Sequence, residues 1–490
     1  MKTIYTFIFF LAQIFVTAQD GVLDTSFGNS GIKTFANLGQ IYDAKMLPNG
    51  QFFIVGKTFT SGENASCLIA KFNSDGTLDS SFGTGGKVLS TYGDQDEGYN
   101  KITFTSDNNI ILSTTLGKLI RMTSNGNLDT SFGNQGIANF AHTVKILPNG
   151  KIITNVRTYT PANALTKIYQ FTNNGILDNA NFASPNGYIS IDSQYQNVAC
   201  IGIDTFSDGK IISVGEVQAA SYFKRIYKLN PDGSTDAGFT YNNNNGFGNA
   251  GNIRTMLVYQ NKLYLGGRYT SFNIARHNPD GSLDTSFNTT GYNATNVTET
   301  VQGVSDAQSM AVQSDGKIIL AGCSKTTSSS LDYNSKFTMV RYNTNGTIDT
   351  TFGATGITRT LVNGNMFAGN CMILLTPSNN KILIIGNTNY STSNKQDLAI
   401  AQYKNDSFLG SVDATFPKKN LILYPNPTAS NLYFSQELSN ITIYDAIGRK
   451  VFYQHEKTKQ INIEKLPKGN YLLQTMDSEN RKISKKIIKN

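Results

Sequence analysis

Aspartate is the residue type whose spacing in this chain best fits chemistry. Asp24, Asp79, Asp129, Asp178, Asp236, Asp284 and Asp349 recur, each a few residues before a phenylalanine: Phe27, Phe82, Phe132, Phe182, Phe239, Phe287 and Phe352. An Asp or Asn at the head of each phrase adds further oxygens, and Asn278-Pro279-Asp280-Gly281-Ser282-Leu283-Asp284 is the fullest example. Such turns can gather ligands for Ca²⁺. An EF-hand loop, however, needs a set alternation of ligands and a closing glutamate, and both are missing. The competing reading is architectural. The first Asx caps a turn, glycine takes a positive φ, and the second Asp bonds backbone N–H groups just after it. The expectation is therefore no cofactor, with Ca²⁺ as the alternative reading.

Other reactive groups are sparse. His142, His277 and His455 lie far apart and outside any metal-ligand spacing. Cys67, Cys200, Cys323 and Cys371 form no CxxC pair and read as buried small hydrophobes, with a Cys323–Cys371 disulfide as the alternative. No GxSxG elbow, P-loop or HExxH motif is present. The sequons at Asn293 and Asn296 are what an Asn- and Thr-rich chain produces by chance, so no catalytic, cofactor-binding or metal-binding residue is assigned.

The elements that must position these aspartates are repeats. The phrase DGVLDTSFG at its first occurrence returns as DGTLDSSFG, NGNLDTSFG, the degenerate NGILDNANF, DGSTDAGF, DGSLDTSF and NGTIDTTFG, with 48 to 65 residues between successive second aspartates. Periods of this length mean a solenoid, a propeller or an array. Between copies, a polar turn such as Ser314-Asp315-Gly316 precedes an apolar run such as residues 317–322, which is a strong hairpin signal. Each unit reads as about four short strands that cannot bury both faces alone. The last unit ends on the strand 398–403 with no phrase after it, and the phrase at 20–28 is its missing partner. An open solenoid is the alternative. The prediction is an all-β chain: a seven-bladed β-propeller over residues 19–406, then a small Ig-like β-sandwich.

The LDxSFG phrase together with the DGKII hairpin resembles the delta-60 repeat of exported bacterial proteins. The resemblance covers roughly residues 20–406. It implies a propeller-like fold and no defined activity.

Composition changes after Asp406. Residues 407–420 read as a linker, and 421–490 as a small β-sandwich with turns at Asp445-Ala446-Ile447-Gly448 and Pro467-Lys468-Gly469. Tyr424, Pro425, Asn426 and Pro427 open this segment. Tyr444, Asp445 and Gly448 lie in its IYDAIGRKV strand, and Pro467, Gly469 and Tyr471 in its LPKGNYLL strand. With the lysine-rich end, these motifs resemble the type A (Por-type) sorting domain of the type IX secretion system of Bacteroidota. The resemblance implies export across the outer membrane, with removal of the module. An adhesive Ig-like module is the alternative reading.

The first residues carry Lys2, an apolar run over residues 4–16 and a small residue at Ala18, so residues 1–18 read as a signal peptide. A membrane anchor is the weaker reading, because about 20 apolar residues would be needed to span; the mature chain is expected to have no transmembrane segment. Net charge is +8, but eleven Lys and Arg against six Asp and Glu fall from Leu421 onward. The repeat region is nearly neutral, without the basic stripe a nucleic-acid surface needs. The expected function is a secreted or surface-attached, non-enzymatic binding or adhesion propeller. It would use the secretion machinery through its tail and take a glycan or protein ligand through loops such as 242–251 and 326–336. A secreted hydrolase or lyase, with acid and base from unlike blades, is the alternative, and a passive surface scaffold a third.

Overall fold

In the computed structural model the chain divides into two compact units, Met1–Asp413 and Ala414–Asn490. The structure describes residues 20–405 and 423–489, apart from 60–64, 94–95, 160–163, 192–197, 219–221, 242–251, 269–270, 328–334, 363–369, 378–380, 389–395, 425–427, 429, 446–448 and 477–481. The signal peptide and linker readings fall outside the described residues, as do the 242–251 loop and most of 326–336. Among the described residues no helix is long and apolar enough to cross a membrane.

Seven antiparallel sheets occupy the described part of the first unit. The first sheet is representative: Gln40–Met46, Phe52–Phe59, Ala65–Phe72 and Lys87–Ser90 pair in chain order. Val, Ile, Leu and Phe fill these strands, as a surface buried on both faces demands. The first strands of successive sheets pack against one another in order, and Cys371–Leu375 of the seventh packs against Gln40–Met46 of the first. The core lies between sheets. Phe52, Leu68, Leu383 and Leu398 share one cluster across the seventh and first, while Ile319, Met339, Ile384 and Ala399 share another across the sixth and seventh.

A glycine near the end of the second strand fixes a local irregularity. The first strand bulges between Ile41 and Asp43, between Ile253 and Thr255, and between Ala307 and Ser309. Gly56, Gly267 and Gly322 lie opposite, where an added Cβ would fall on the carbonyl oxygens of Gln40, Asn252 and Asp306. The bulge turns the strand and lets two backbones approach.

The seventh sheet is completed by the start of the chain. Ile32–Phe35 pairs antiparallel with Asp397–Lys404, outside Lys381–Thr388 and Cys371–Leu375. The phrase at 20–28 bonds to the end of that strand, with a Leu23–Tyr403 bridge, Gly21 N–H donating to Lys404 O at 2.8 Å and Asp24 N–H to Gln402 O at 2.8 Å; it then turns, and Ile32–Phe35 continues the pairing.

In the second unit, the long strand Asn431–Tyr444 bends through two sheets. Its first half pairs with Leu423–Tyr424 and Thr458–Asn462, its second with Lys450–Gln454 and Gly469–Met476, and Lys482–Lys489 extends the latter. Leu432, Phe434, Ile441, Ile443, Leu473 and Ile487 form its core.

Removing the N-terminal strand should open the seventh sheet, because the outer edge of Asp397–Lys404 would lose its partner. Deletion of residues 20–35 is expected to give aggregation on size exclusion and a lower thermal midpoint. A monomer that melts like the parent would contradict the pairing.

Candidate functional site

The repeated carboxylates do not converge on a shared cavity; each lies at the junction between its own sheet and the next. Each signature Asp donates its backbone N–H to the third strand, as Asp79 to Lys71 O at 2.9 Å and Asp349 to Arg341 O at 2.9 Å. That geometry sets the carboxylate back over the sheet. One oxygen then accepts from the residue two positions on, or from Asn181 three on at Asp178: Ser81 N–H at 3.1 Å and Oγ at 2.6 Å for Asp79, and Thr351 N–H at 3.1 Å and Oγ1 at 2.6 Å for Asp349.

The other oxygen meets a cation, and two strand positions can supply it. One is the third-strand residue whose carbonyl holds the Asp: Lys71, Arg121, Gln170, Lys228, Arg276, Arg341 and Gln402 in turn. The other opens the second strand, just after its hairpin: Gln51, Asn109, Lys151, Lys210, Lys262, Lys317 and Lys381. Where the first position is Gln170 or Gln402, the second provides Lys151, 2.6 Å from Asp178, or Lys381, 2.7 Å from Asp24. Where the second is Gln51 or Asn109, the first provides Lys71, 2.9 Å from Asp79, or Arg121, 2.7 Å from Asp129. Asp236, Asp284 and Asp349 meet both. Every signature carboxylate therefore has a cation, although neither position is always basic. The chain's own DGK hairpins carried this signal, and sequence reasoning read them only as turns.

The signature phenylalanines complete the junction. The Arg121, Arg276 and Arg341 guanidinium carbons stand 4.9, 4.8 and 4.6 Å from the ring centres of Phe132, Phe287 and Phe352. Each Phe lies beneath the turn glycine of the next unit: Phe82 under Gly126, Phe287 under Gly346, and Phe352 under Gly21. These glycines have φ of +86°, +83° and +76°, and a Cβ there would come within 2.8 Å of the ring. Backbone bonds run across the same joints, including Gly133 N–H to Asn174 O at 2.8 Å and Gly353 N–H to Asp20 O at 2.7 Å.

The remaining candidates are dispersed. His277 is buried with Nδ1 3.1 Å from Gly281 O, and burial lowers it to about 4. Burial, then Arg157, lowers His142, and His455 contacts Asn440 in the second unit. All four cysteines are thiols, and burial raises Cys67, Cys200 and Cys323 to about 12. Among the described residues no group of His, Cys, Asp and Glu could hold a metal ion. The turn carboxylates are occupied by the chain itself: Asp75 accepts from Thr77 and Asp280 from Ser282. In the second unit, Tyr424 ends a short strand and Tyr444 a long one. Asp445 accepts from Arg449 N at 2.9 Å and Nε at 2.8 Å. Tyr471 is in the core, donating to Pro467 O at 2.7 Å, and Gly469 starts its strand. Pro425, Asn426, Pro427 and Gly448 lie outside the described residues.

Two outcomes follow for stability. Lys381→Met removes the one cation at Asp24 among the described residues, whereas Lys317→Met leaves Arg341 on Asp349. In urea unfolding, Lys381→Met should cost about 1–3 kcal/mol and Lys317→Met clearly less; equal losses would contradict the compensation. Asp79 is held at about 2, by the Ser81 hydroxyl first and then Lys71. Asp284 is also held at about 2; burial opposes this and is outweighed by Ser286, Lys262 and Arg276. These folded values lie below the unfolded value of about 3.9. Their contribution is therefore full above that pH and lost as pH falls toward about 2. Unfolding free energy should decline across that window, and less steeply in an Asp79→Asn, Asp284→Asn double variant. Parallel curves would show that these carboxylates do not carry the acid sensitivity.

A profile described as a domain of unknown function (DUF5122) beta-propeller matches residues 47–82, 207–239, 261–287, 313–352 and 378–416. Four of these segments end on a signature phenylalanine: Phe82, Phe239, Phe287 or Phe352. A profile described as a secretion system C-terminal sorting domain matches residues 422–490. No curated protein matches. Similar solved structures include the C-terminal WD40 domain of Sif2, at 10% identity and TM-score 0.40 over 78% of this chain and 99% of that one. YCF48 bound to D1 peptide is similar at 13% identity and TM-score 0.39, over 79% and 100%. The computationally designed Ika8 protein follows at 7% identity and TM-score 0.38, over 78% and 100%. The chain carries a DUF5122 β-propeller domain joined to a C-terminal sorting domain of the type IX secretion system, the make-up of a secreted or outer-membrane-surface protein.

Proposed function

We propose that the chain is a non-enzymatic binding module, a seven-bladed propeller of delta-60-type repeats made with a signal peptide at residues 1–18. Residues 421–490, an Ig-like sandwich, deliver it out of a bacterium carrying the type IX system. The observation that carries the binding reading is the pairing of every signature carboxylate with a cation of the same chain. A paired, anchored carboxylate with its pKa lowered is a poor general acid or base at neutral pH. The repeated residues therefore serve architecture, and recognition falls to what differs between repeats. The near-neutral repeat region favours glycans or protein surfaces over nucleic acid.

Two arms test this. Deleting residues 421–490 in a bacterium with the secretion system should move the protein from the medium or cell surface to the periplasm, by fractionation and blotting. Unchanged export would sink the sorting role. The purified full chain on an array of glycans and matrix proteins should give a saturable hit that survives chelation of Ca²⁺, because the turn carboxylates are already bonded. A blank array would overturn the binding reading.

A further inference from the structure

The first strand of each sheet has one edge away from its second strand, and the sheet before supplies acceptors to that edge. The N–H of Ile41 donates to Asn387 Oδ1 at 2.9 Å, and that of Ile253 to Glu216 Oε1 at 3.0 Å. Asn387 and Glu216 hold the same place, one residue past the glycine of their second strands. At Cys371 the acceptor is instead Gln308 Oε1, from the bulge in Val304–Val312 of the sixth sheet. Two positions can therefore answer this N–H: the residue after the glycine and the residue in the bulge.

The fifth sheet has arginine at both. Arg268 follows Gly267 at the end of Lys262–Arg268, and Arg254 is the bulge residue of Asn252–Tyr259. A guanidinium donates and cannot accept. The N–H they face belongs to Ala307, which starts its bulge opposite a glycine as Ile41 and Ile253 do. Among the described residues it has no side-chain acceptor. The other six sheets each keep a group able to accept at one of the two places: Tyr42, Asn100, His142, Glu216, Gln308 and Asn387.

The two arginines converge on Asp306 without closing on it. Arg254 Nε is 3.4 Å and Arg268 Nη1 3.8 Å from its carboxylate, and among the described residues neither guanidinium makes a hydrogen bond. The Asp306 side chain is 8% exposed and its Oδ1 accepts no hydrogen bond, while Gln308 Nε2 reaches Oδ2. By contrast, Glu216 at the joint before is closed by Asn252 Nδ2 and Ile253 N–H, both at 3.0 Å. The arginine side chains are 41% and 40% exposed, so their remaining N–H groups are open to a ligand.

We propose that the joint of the fifth and sixth sheets binds the carboxylate of an acidic sugar. A carboxylate accepts two N–H groups of a guanidinium side by side. Two guanidiniums above one buried carboxylate leave one positive charge, which a uronate neutralises and a phosphate monoester overshoots. A protein partner would need an apolar or aromatic anchor next to the charge. In residues 296–310 the exposed large apolar side chains are Val301 and Val304 alone. A sugar needs hydrogen-bond partners instead, and the arginine forks have donors to spare. The assignment rests on the binding reading above and adds to it a place and a ligand class.

The full chain is titrated by calorimetry with D-galacturonic acid and tri-galacturonic acid. Controls are the methyl ester of galacturonic acid, glucose 6-phosphate and the peptide acetyl-Gly-Glu-Gly-amide. At least one uronate should bind saturably; the monosaccharide binding alone assigns recognition to a single residue, and the trimer alone to a polymer. Arg254→Gln and Arg268→Asn should each weaken that binding by roughly tenfold. Arg268→Asn installs the side chain found at Asn387, so the thermal midpoint should not fall. Asp306→Asn keeps the shape, removes the counter-charge and should tighten uronate binding and admit glucose 6-phosphate. Uronate binding that survives both arginine variants would overturn the site while leaving the binding module standing. Equal binding of the ester would overturn the carboxylate, tighter binding of the peptide the sugar, and an Asp306→Asn variant that binds like the parent the charge arrangement. No binding of either uronate would overturn the proposal, and together with a blank array it would remove the binding reading as well.

Discussion

A carboxylate withdrawn from water must find compensation, and the first unit meets that demand at every joint. Asp24, Asp178, Asp236, Asp284 and Asp349 are between 4% and 9% exposed. Desolvation alone would push each toward its neutral form. A cation and hydrogen bonds from the turn reverse the balance. Once ionised, the carboxylates of Asp236, Asp284 and Asp349 each tie together three pieces of chain: the third strand, the second strand's hairpin and the signature turn. Arg121 and Arg276 add a further piece by donating across the joint to Asn173 O and Thr344 O at 2.8 Å. The aromatic ring and the turn glycine then fix how closely the next sheet can approach. Sheet spacing in this unit thus depends on one ionised side chain per repeat.

This dependence explains both what was legible in the sequence and what was not. The Asp, Gly and Phe of each phrase are visible because backbone geometry and ring packing admit few substitutes. The cation was missed because it has two permitted positions, so neither column is uniformly basic. Gln170 looks like a lost contact until Lys151 is placed beside it by strand register. The N-terminal phrase was read as the partner of the final strand; its residues 21–24 do bond to residues 402–404, and the regular ladder with 398–401 is made by the strand after it, Ile32–Phe35. A turn phrase and the strand after it cannot be separated by apolar content when the strand is only four residues long. The bulges opposite Gly56, Gly267 and Gly322 were equally hidden, since a two-against-one register leaves no mark on the alternation of a fully buried strand.

Closure of the series uses the same device with a different acceptor. At three internal joints Arg121, Lys228 or Arg276 reaches a backbone carbonyl of the next unit. At the joint with the start of the chain, Arg341 reaches the Asp20 carboxylate at 2.6 Å while its Nε holds Asp349 at 2.8 Å. Arg341 is almost wholly buried between the two. A joint between distant parts of the chain has no local connectivity to hold it, so an ion pair with a buried guanidinium is a stronger and more selective clasp than a hydrogen bond to a carbonyl. Asp349 shares Arg341 with Asp20 and keeps Lys317 besides, so the clasp draws on a charge already compensated at its own junction.

The joints are alike beneath and less so at their surfaces. Five signature aspartates accept from a Ser or Thr hydroxyl two positions on, whereas Asp236 meets only the Gly238 N–H and Asp178 meets the Asn181 amide. At the third-to-fourth joint Asp178 and Phe182 are four apart and Phe182 and Gly187 five, against three and four at Asp129, Phe132 and Gly136. Such a break is tolerable only where the underlying joint survives it, and here it does. Asp178 keeps its lysine, Phe182 still packs under Gly233, and the backbone bond from Ala183 to Asp232 is kept. The two extra residues are therefore accommodated at the surface, where they add polar side chains without disturbing what holds the sheets together. The repeated geometry beneath thus holds the sheets together, and the surface above it can change without disturbing that joint.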